Sequence, residues 1–329
     1  MREIGGYLEL ELPSLEEYHK DLVKLNSGRN SFEYLLKAKK VKKVFLPYYT
    51  CDVMLEPVKK LGINYEFYYI DKDFLPIFDY SKLKEYDYFV YTNYNDLCHK
   101  QIEIVINNAK NIILDCSQSF FYRNDKIDNM FYSARKFFGV SDGAYLKTNT
   151  FLDDDLEFDI SYNDMTHLLG RHDFNAKEFY SYFKNVEIKI SNKTLKKMSN
   201  LTERIMQSIN YSMVAKIRRQ NFQYLHKELS RVNELDIDFD FDFDYNSVPM
   251  SYPLLINKGD KLRKKLIEDN IYVSQFWSNT LKWVDDSKWE YYLSKQCLYL
   301  PIDQRYCLKD MGKIIGIVIE FTKKYARLN

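Results

Sequence analysis

The sequence predicts an α/β fold: a mainly parallel sheet flanked by helices, followed by a smaller α+β unit. Three observations carry this. Apolar runs of strand length at 44–46, 63–70, 87–91 and 111–115 are separated by short helical patterns, the alternation of a parallel α/β layer. Two runs end abruptly in chemistry-bearing residues: 112–114 in Asp115, with Gln118 three on, and 130–132 in Ser133-Ala134-Arg135-Lys136. A long helical pattern over 198–229 (Leu201, Ile205, Ile209, Met213, Ile217) then reads as a connection between two domains. Residues 1–195 are accordingly read as a large domain with an N-terminal segment, and 196–329 as an interdomain helix and a small domain.

Taken in order, 14–25 read as a helix, with Ser14 as N-cap and Glu17 closing a capping box. The turn Asn26-Ser27-Gly28-Arg29-Asn30-Ser31 opens an amphipathic helix, FEYLLKAKK. Such a start is a ready anion site, because free N–H groups and the helix dipole point outward; it is equally an ordinary helix cap. The run 44–46 stops at Pro47, ahead of Tyr48-Tyr49-Thr50-Cys51. A short helix at 52–61 and a longer one at 99–109 fit between the strands. DIDFDFDFDY, 236–245, alternates strictly and predicts a half-exposed strand with a charged outer face. It lacks the central glycine and closing glutamate of an EF-hand calcium loop. Beyond it come strands at 252–256, 271–275 and 297–300 and helices at 260–269 and 308–325. Trp277, Trp283 and Trp289 read as packing of the small domain.

The 329 residues are 46% hydrophobic and 29% charged, with a net charge of +1, so no electrostatic case exists for nucleic acid or an anionic membrane surface. No apolar run approaches the roughly 18 residues that span a bilayer, and the start carries no signal-peptide core. Five widely spaced cysteines without a CxxC fit reduced thiols in the cytoplasm, and five scattered histidines offer no metal-ligand spacing.

A lysine at one strand end, an acid at another and an anion-sized turn suit pyridoxal phosphate (PLP). Its aldehyde condenses with a lysine, and its ring nitrogen pairs with a carboxylate. Lys136 would hold the cofactor and then move a proton, with Arg135 beside it depressing its pKa.

Here the chain resembles the DegT/DnrJ/StrS family of PLP-dependent sugar aminotransferases, of aspartate aminotransferase fold type I. The resemblance is carried by NSGRNSFEYLL, VFLPYYTCDV, NIILDCSQSFF, FYSARKFFGVSDGAYL, MSNLTERI, RRQNFQYL and CLYLPIDQRY. It implies that Lys136 is the Schiff-base lysine, Asp115 the acid on the pyridine nitrogen and Gln118 the amide on the ring hydroxyl. Gly28, Arg29 and Asn30 fall at the turn that binds the phosphate through backbone amides, which tolerates side-chain change. Ser133 lies three residues before the lysine, where many members place a serine five before. Cys51 stands at the stacking aromatic, so Tyr48 or Tyr49 would supply the ring. Leu195 aligns near an asparagine that many members donate from a neighbouring subunit, and the 51–115 segment is shorter than usual.

What the resemblance implies is a cytoplasmic homodimer. It would move an amino group from an amino acid such as glutamate to a keto sugar, nucleotide-linked, for surface polysaccharide or amino-sugar biosynthesis. Two alternatives stand beside it: a degenerate member serving as a binding or structural protein, and a PLP-dependent sugar-modifying enzyme other than a transaminase. Dehydratases of the family replace the lysine with histidine, so Lys136 favours transamination.

Overall fold

The computed structural model describes residues 4–236 and 247–326. Eight strands form one sheet: β1 (Val23–Leu25), β2 (Lys43–Pro47), β3 (Asn64–Ile70), β4 (Pro76–Ile77), β5 (Asp87–Thr92), β6 (Ile112–Cys116), β7 (Met130–Ser133) and β8 (Ala144–Lys147). Their order is β1-β8-β7-β6-β5-β2-β3-β4. The pairs from β3 through β2, β5 and β6 to β7 are parallel; β8 is antiparallel to β7 and to β1. Two reversals bring β1 back to the direction of β7. The carboxyl ends of β1, β2, β5, β6 and β7 therefore share one rim.

The helix α1 (Gly28–Ala38) starts at that rim, directly after β1. Ser27 caps it by accepting from the Asn30 N–H at 3.1 Å, and Phe32, Leu35 and Leu36 bury its inner face. Each such side chain stabilises by about 2 kcal/mol when fully buried. They meet Val44, Leu46, Val90, Ile113, Phe131 and Leu146 from one face of the sheet. The opposite face is aromatic, with Phe45, Phe89, Tyr91, Tyr132 and Tyr145, and packs on α3 (His99–Asn108) through Ile102 and Val105. The short α2 (Leu55–Lys60) follows β2.

After β8 come α4 (Thr166–Asp173), α5 (Tyr180–Ser191), α6 (Asn200–Met206) and α7 (Tyr211–Leu229). A second sheet pairs β9 (Ser251–Leu255) with β10 (Cys297–Pro301), antiparallel. Around it lie α8 (Gly259–Glu268), α9 (Thr280–Trp283), α10 (Trp289–Gln296) and α11 (Leu308–Ala326). Phe222 and Leu225 of α7 share a separate apolar core with Tyr252, Leu254, Leu298, Met311 and Val318.

Three expectations are corrected. The helix at 14–25 does not form; Val23–Leu25 is a strand instead. Glu17 and His19 are both buried, a period of two rather than 3.6. Glu17 accepts from the Tyr145 hydroxyl at 2.6 Å and pairs with Lys24, so its carboxylate has tertiary partners in place of a capping role. The helix over 198–229 is two helices, because Asn210 starts a new one by accepting from the Met213 N–H at 3.0 Å. At 271–275 only Ser274 forms a bridge, to Tyr299. The strand predicted at 236–245 falls, but for Asp236, outside the described residues.

Candidate active site

Asp115 is the fourth residue of β6, paired in register with Thr92 on β5 and Phe131 on β7. Register partners share a face, and this is the face that α1 covers. The start of α1 comes down on the same spot: a Cβ on Gly28 would lie 3.8 Å from the Ser133 Cβ and 3.9 Å from the Phe131 ring. By helix geometry the Gly28 and Arg29 N–H groups have no intrahelical acceptor. Those of Asn30 and Ser31 are taken by the Ser27 side chain and carbonyl. Two free amides, the helix dipole and the nearby Ser133 hydroxyl make a cradle for an anion such as a phosphate.

Lys136 ends a single 3₁₀ turn, Ala134–Lys136, that follows β7. Its ammonium donates to the Ser117 hydroxyl at 3.0 Å, while the Ser117 N–H donates to Asp115 Oδ1 at 2.8 Å. Ser117 thus joins the lysine to the acid. Burial pushes the Asp115 carboxyl pKa up, opposed by the Lys136 charge and the Ser117 hydrogen bonds. A buried carboxylate in that balance gains from a further cation, which a protonated pyridine nitrogen would provide.

Gln118 is 1% exposed. Its Oε1 accepts from the Asn95 N–H at 3.1 Å, and among the described residues its Nε2 has no partner. The Thr92 hydroxyl, beside Asp115 in register, is also buried and unpartnered. Orphaned buried donors are rare because each costs about 1–3 kcal/mol. A ligand carrying a ring hydroxyl would satisfy the Gln118 amide, so the residues present fit pyridoxal phosphate.

Other predicted members are placed differently. The Asn30 side chain is structural: it donates to Asn26 at 2.7 Å and to the Thr194 carbonyl at 2.9 Å. The Arg29 side chain turns to Glu56, at 2.8 Å, leaving only its backbone amide at the cradle. Arg135 is paired with Glu187, which ties up its charge. Tyr49 is a core residue at 0% exposure, its hydroxyl 2.5 Å from that of Tyr299 and its ring edge-on to Trp277. Tyr48 stacks on Phe67. Cys51 is the residue that senses the lysine: burial pushes its thiol pKa up, and the Val53 N–H and the Lys136 charge pull it partly back.

Sequence reasoning missed Thr92 and Ser117. The first had a signal, as the last residue of a strand beside β6. The second sits two residues after an aspartate, the spacing of a turn that hydrogen-bonds its own backbone. A hollow of about 830 Å³, walled in part by Tyr18, Asp96, Tyr122 and Arg123, includes none of these site residues.

No protein-family model matches the chain, and no curated protein matches it in sequence. Solved structures match it in shape. A putative sugar aminotransferase from Streptococcus pneumoniae, in its PMP form, superposes with a TM-score of 0.63 at 11% identity, covering 96% of this chain and 93% of its own. A DegT DnrJ EryC1 StrS aminotransferase from Brucella abortus gives 0.58 at 14%, over 91% and 85%. The chain has the sugar-aminotransferase fold. NtdA from Bacillus subtilis, solved with bound cofactor PMP, gives 0.61 at 14% identity over 92% and 73%. The eight-stranded sheet with its flanking helices is the part of the architecture that positions Asp115, Gln118 and Lys136.

Proposed function

We propose that this protein is a PLP-dependent aminotransferase that passes an amino group from an amino acid to a keto sugar. One observation carries the reading. Ser117 joins Lys136 to Asp115, and the orphaned Gln118 amide follows it in the chain, at a sheet rim where the start of α1 offers free N–H groups. The names of the structural neighbours supply the substrate class. A nucleotide-linked sugar acceptor, glutamate as donor and a cytoplasmic setting complete the proposal. Among the described residues no helix is long and apolar enough to cross a membrane.

Bound at this site, the cofactor supplies an electron-withdrawing ring and an aldehyde that accepts the amine. The residues around it have separable tasks. Asp115 would keep a proton on the ring nitrogen by charge pairing in a buried setting. Gln118 Nε2 would donate to the ring hydroxyl. The Gly28 and Arg29 amides and the Ser133 hydroxyl would hold the phosphate. Lys136 would hold the cofactor's aldehyde through its amine, and that amine could move a proton at the substrate carbon. Ser117, in contact with both Lys136 and Asp115, keeps the released amine on the acid's side of the site.

A homodimer is part of the same reading. Leu169 (61% exposed), Phe174, Tyr180 and Ile188 (61%) leave an apolar surface along α4 and α5. Partner burial of such a patch is favourable. Sedimentation should give twice the chain mass.

The test of function is optical. The protein mixed with pyridoxal phosphate should gain a visible band that borohydride removes, and Lys136→Ala should lack it. Glutamate should then bleach the band. A colourless wild type would leave the binding-protein reading of this fold, and colour without bleaching would point to another donor or another reaction.

A further inference from the structure

The site already described rests on a weak piece of backbone. Lys136 projects from one 3₁₀ turn whose only internal bonds run from the Phe137 and Phe138 N–H groups to the Ala134 carbonyl, at 3.0 and 2.9 Å. One isolated turn has little stability of its own. Its first residue is held from outside, Ala134 N–H donating to the Gly143 carbonyl at 3.1 Å. Gly143 itself is fixed: it has φ of +111°, and a Cβ there would sit 2.9 Å from Thr202. What holds the other end is a pair of side chains from distant parts of the chain.

We propose that Arg218 and Gln304 are positioning residues for Lys136, clasping the Phe137 carbonyl so that the lysine's turn is fixed at both ends. The inference rests on the reading of Lys136 as the cofactor-holding amine. Gln304 Nε2 donates to the Phe137 carbonyl at 2.9 Å, and an Arg218 Nη donates to it at 3.3 Å. Arg218 Nε donates to Gln304 Oε1 at 3.0 Å, which settles which way the amide faces. The remaining Arg218 Nη donates to the Met250 carbonyl at 2.9 Å and the Pro249 carbonyl at 3.4 Å. The guanidinium carbon also lies 4.6 Å over the Phe137 ring.

Arg218 is 1% exposed, and its hydrogen bonds go to carbonyls and an amide, not to a carboxylate. Burial holds its pKa down at about 10, which leaves it charged at neutral pH. Among the described residues Arg218 has no salt bridge, only the more distant charge of Asp303, and burying a cation that way is expensive; the fold accepts that cost where the planar fork gathers several backbone carbonyls at once. Interior packing alone would be served by methionine or leucine. The fork instead joins α7, the approach to β9 and the loop after β10 to the residue next to the lysine. Lys136 itself is exposed, and among the described residues its ammonium hydrogen-bonds only Ser117, so its direction comes from the backbone beneath it.

The experiment compares wild type, Gln304→Ala and Arg218→Lys as full chains. Arg218→Lys keeps the charge and removes the fork. Hydrogen exchange of the cofactor-free protein, followed by mass spectrometry of a peptide spanning 130–140, should rise at least fivefold in both variants. Strands β2 and β5 should exchange as in wild type. With pyridoxal phosphate added, the dissociation constant should rise at least fivefold and the pH midpoint of the visible band should move. A purely structural role would not move that midpoint. Unchanged exchange, affinity and midpoint in a folded Gln304→Ala variant would overturn the proposal, whether or not Arg218→Lys folds. A wild type that never colours would sink the cofactor reading alone, and the exchange rates would still judge the clasp.

Discussion

Asp115→Asn removes one charge at nearly constant shape, and its two expected effects have opposite signs. The side chain is 5% exposed, and burial, the largest influence on it, raises the carboxyl pKa. A carboxyl whose folded pKa lies above its unfolded value keeps its proton longer in the folded state. Stability is then lost as pH rises from the unfolded value, about 3.9, through the folded one. At neutral pH the ionised form is a net cost to the cofactor-free protein. Asparagine keeps an oxygen for the Ser117 N–H, now 2.8 Å away, so little else is disturbed. The variant should therefore be more stable without cofactor, with a higher melting temperature. On the proposed function, the cofactor's ring nitrogen would lose its counter-charge in this variant. Breaking a buried charge pair costs about 3–5 kcal/mol, which is roughly 200- to 5,000-fold in rate. Thermal unfolding of cofactor-free protein and turnover with a keto-sugar acceptor measure the two halves. A lower melting temperature refutes the buried-charge argument; a wild-type rate refutes the role given to Asp115.

Two further outcomes follow from buried groups away from the site. Burial holds the His19 imidazole down at about 3, with its ring nitrogen 2.7 Å from the Phe120 carbonyl. Its folded pKa is below the unfolded value, so its contribution is intact above about pH 6.5 and lost as pH falls, by up to about 1.4 kcal/mol per unit. Urea midpoints between about pH 7 and 4 should fall less steeply in His19→Gln, and parallel slopes would contradict this. Tyr49→Phe leaves the Tyr299 hydroxyl without its 2.5 Å partner and should cost about 1–3 kcal/mol with cofactor affinity unchanged. A tenfold loss of affinity at wild-type stability would show that this hydroxyl reaches the cofactor after all.

Strand ends were legible because burial on both faces writes a continuous apolar run, and the residue that breaks it marks the rim. That is how Asp115 and Lys136 stand out in IILDC and MFYSARK. The start of α1 was legible for a similar reason, since Ser27 is a cap whatever surrounds it. Local pattern failed where side chains answered to distant partners. Glu17 looked like a capping-box acid until Lys24 and Tyr145 claimed it. Asn30 and Arg29 were expected to offer backbone amides; Thr194 and Glu56 hold their side chains, and Ser27 takes the Asn30 N–H, so of the two only the Arg29 N–H is left for an anion.

By itself, then, the sequence determined the strands, the helix cap and the order in which acid, amide and lysine arrive, because these depend on neighbours a few residues away. Only the tertiary structure decided which aromatics are core and which rim residues touch. It alone brought Arg218 and Gln304, 81 and 167 residues from Phe137, onto one carbonyl. The physical reason is that a side chain's hydrogen-bond partner is fixed by where the backbone puts it, and periodicity carries no record of contacts at that range.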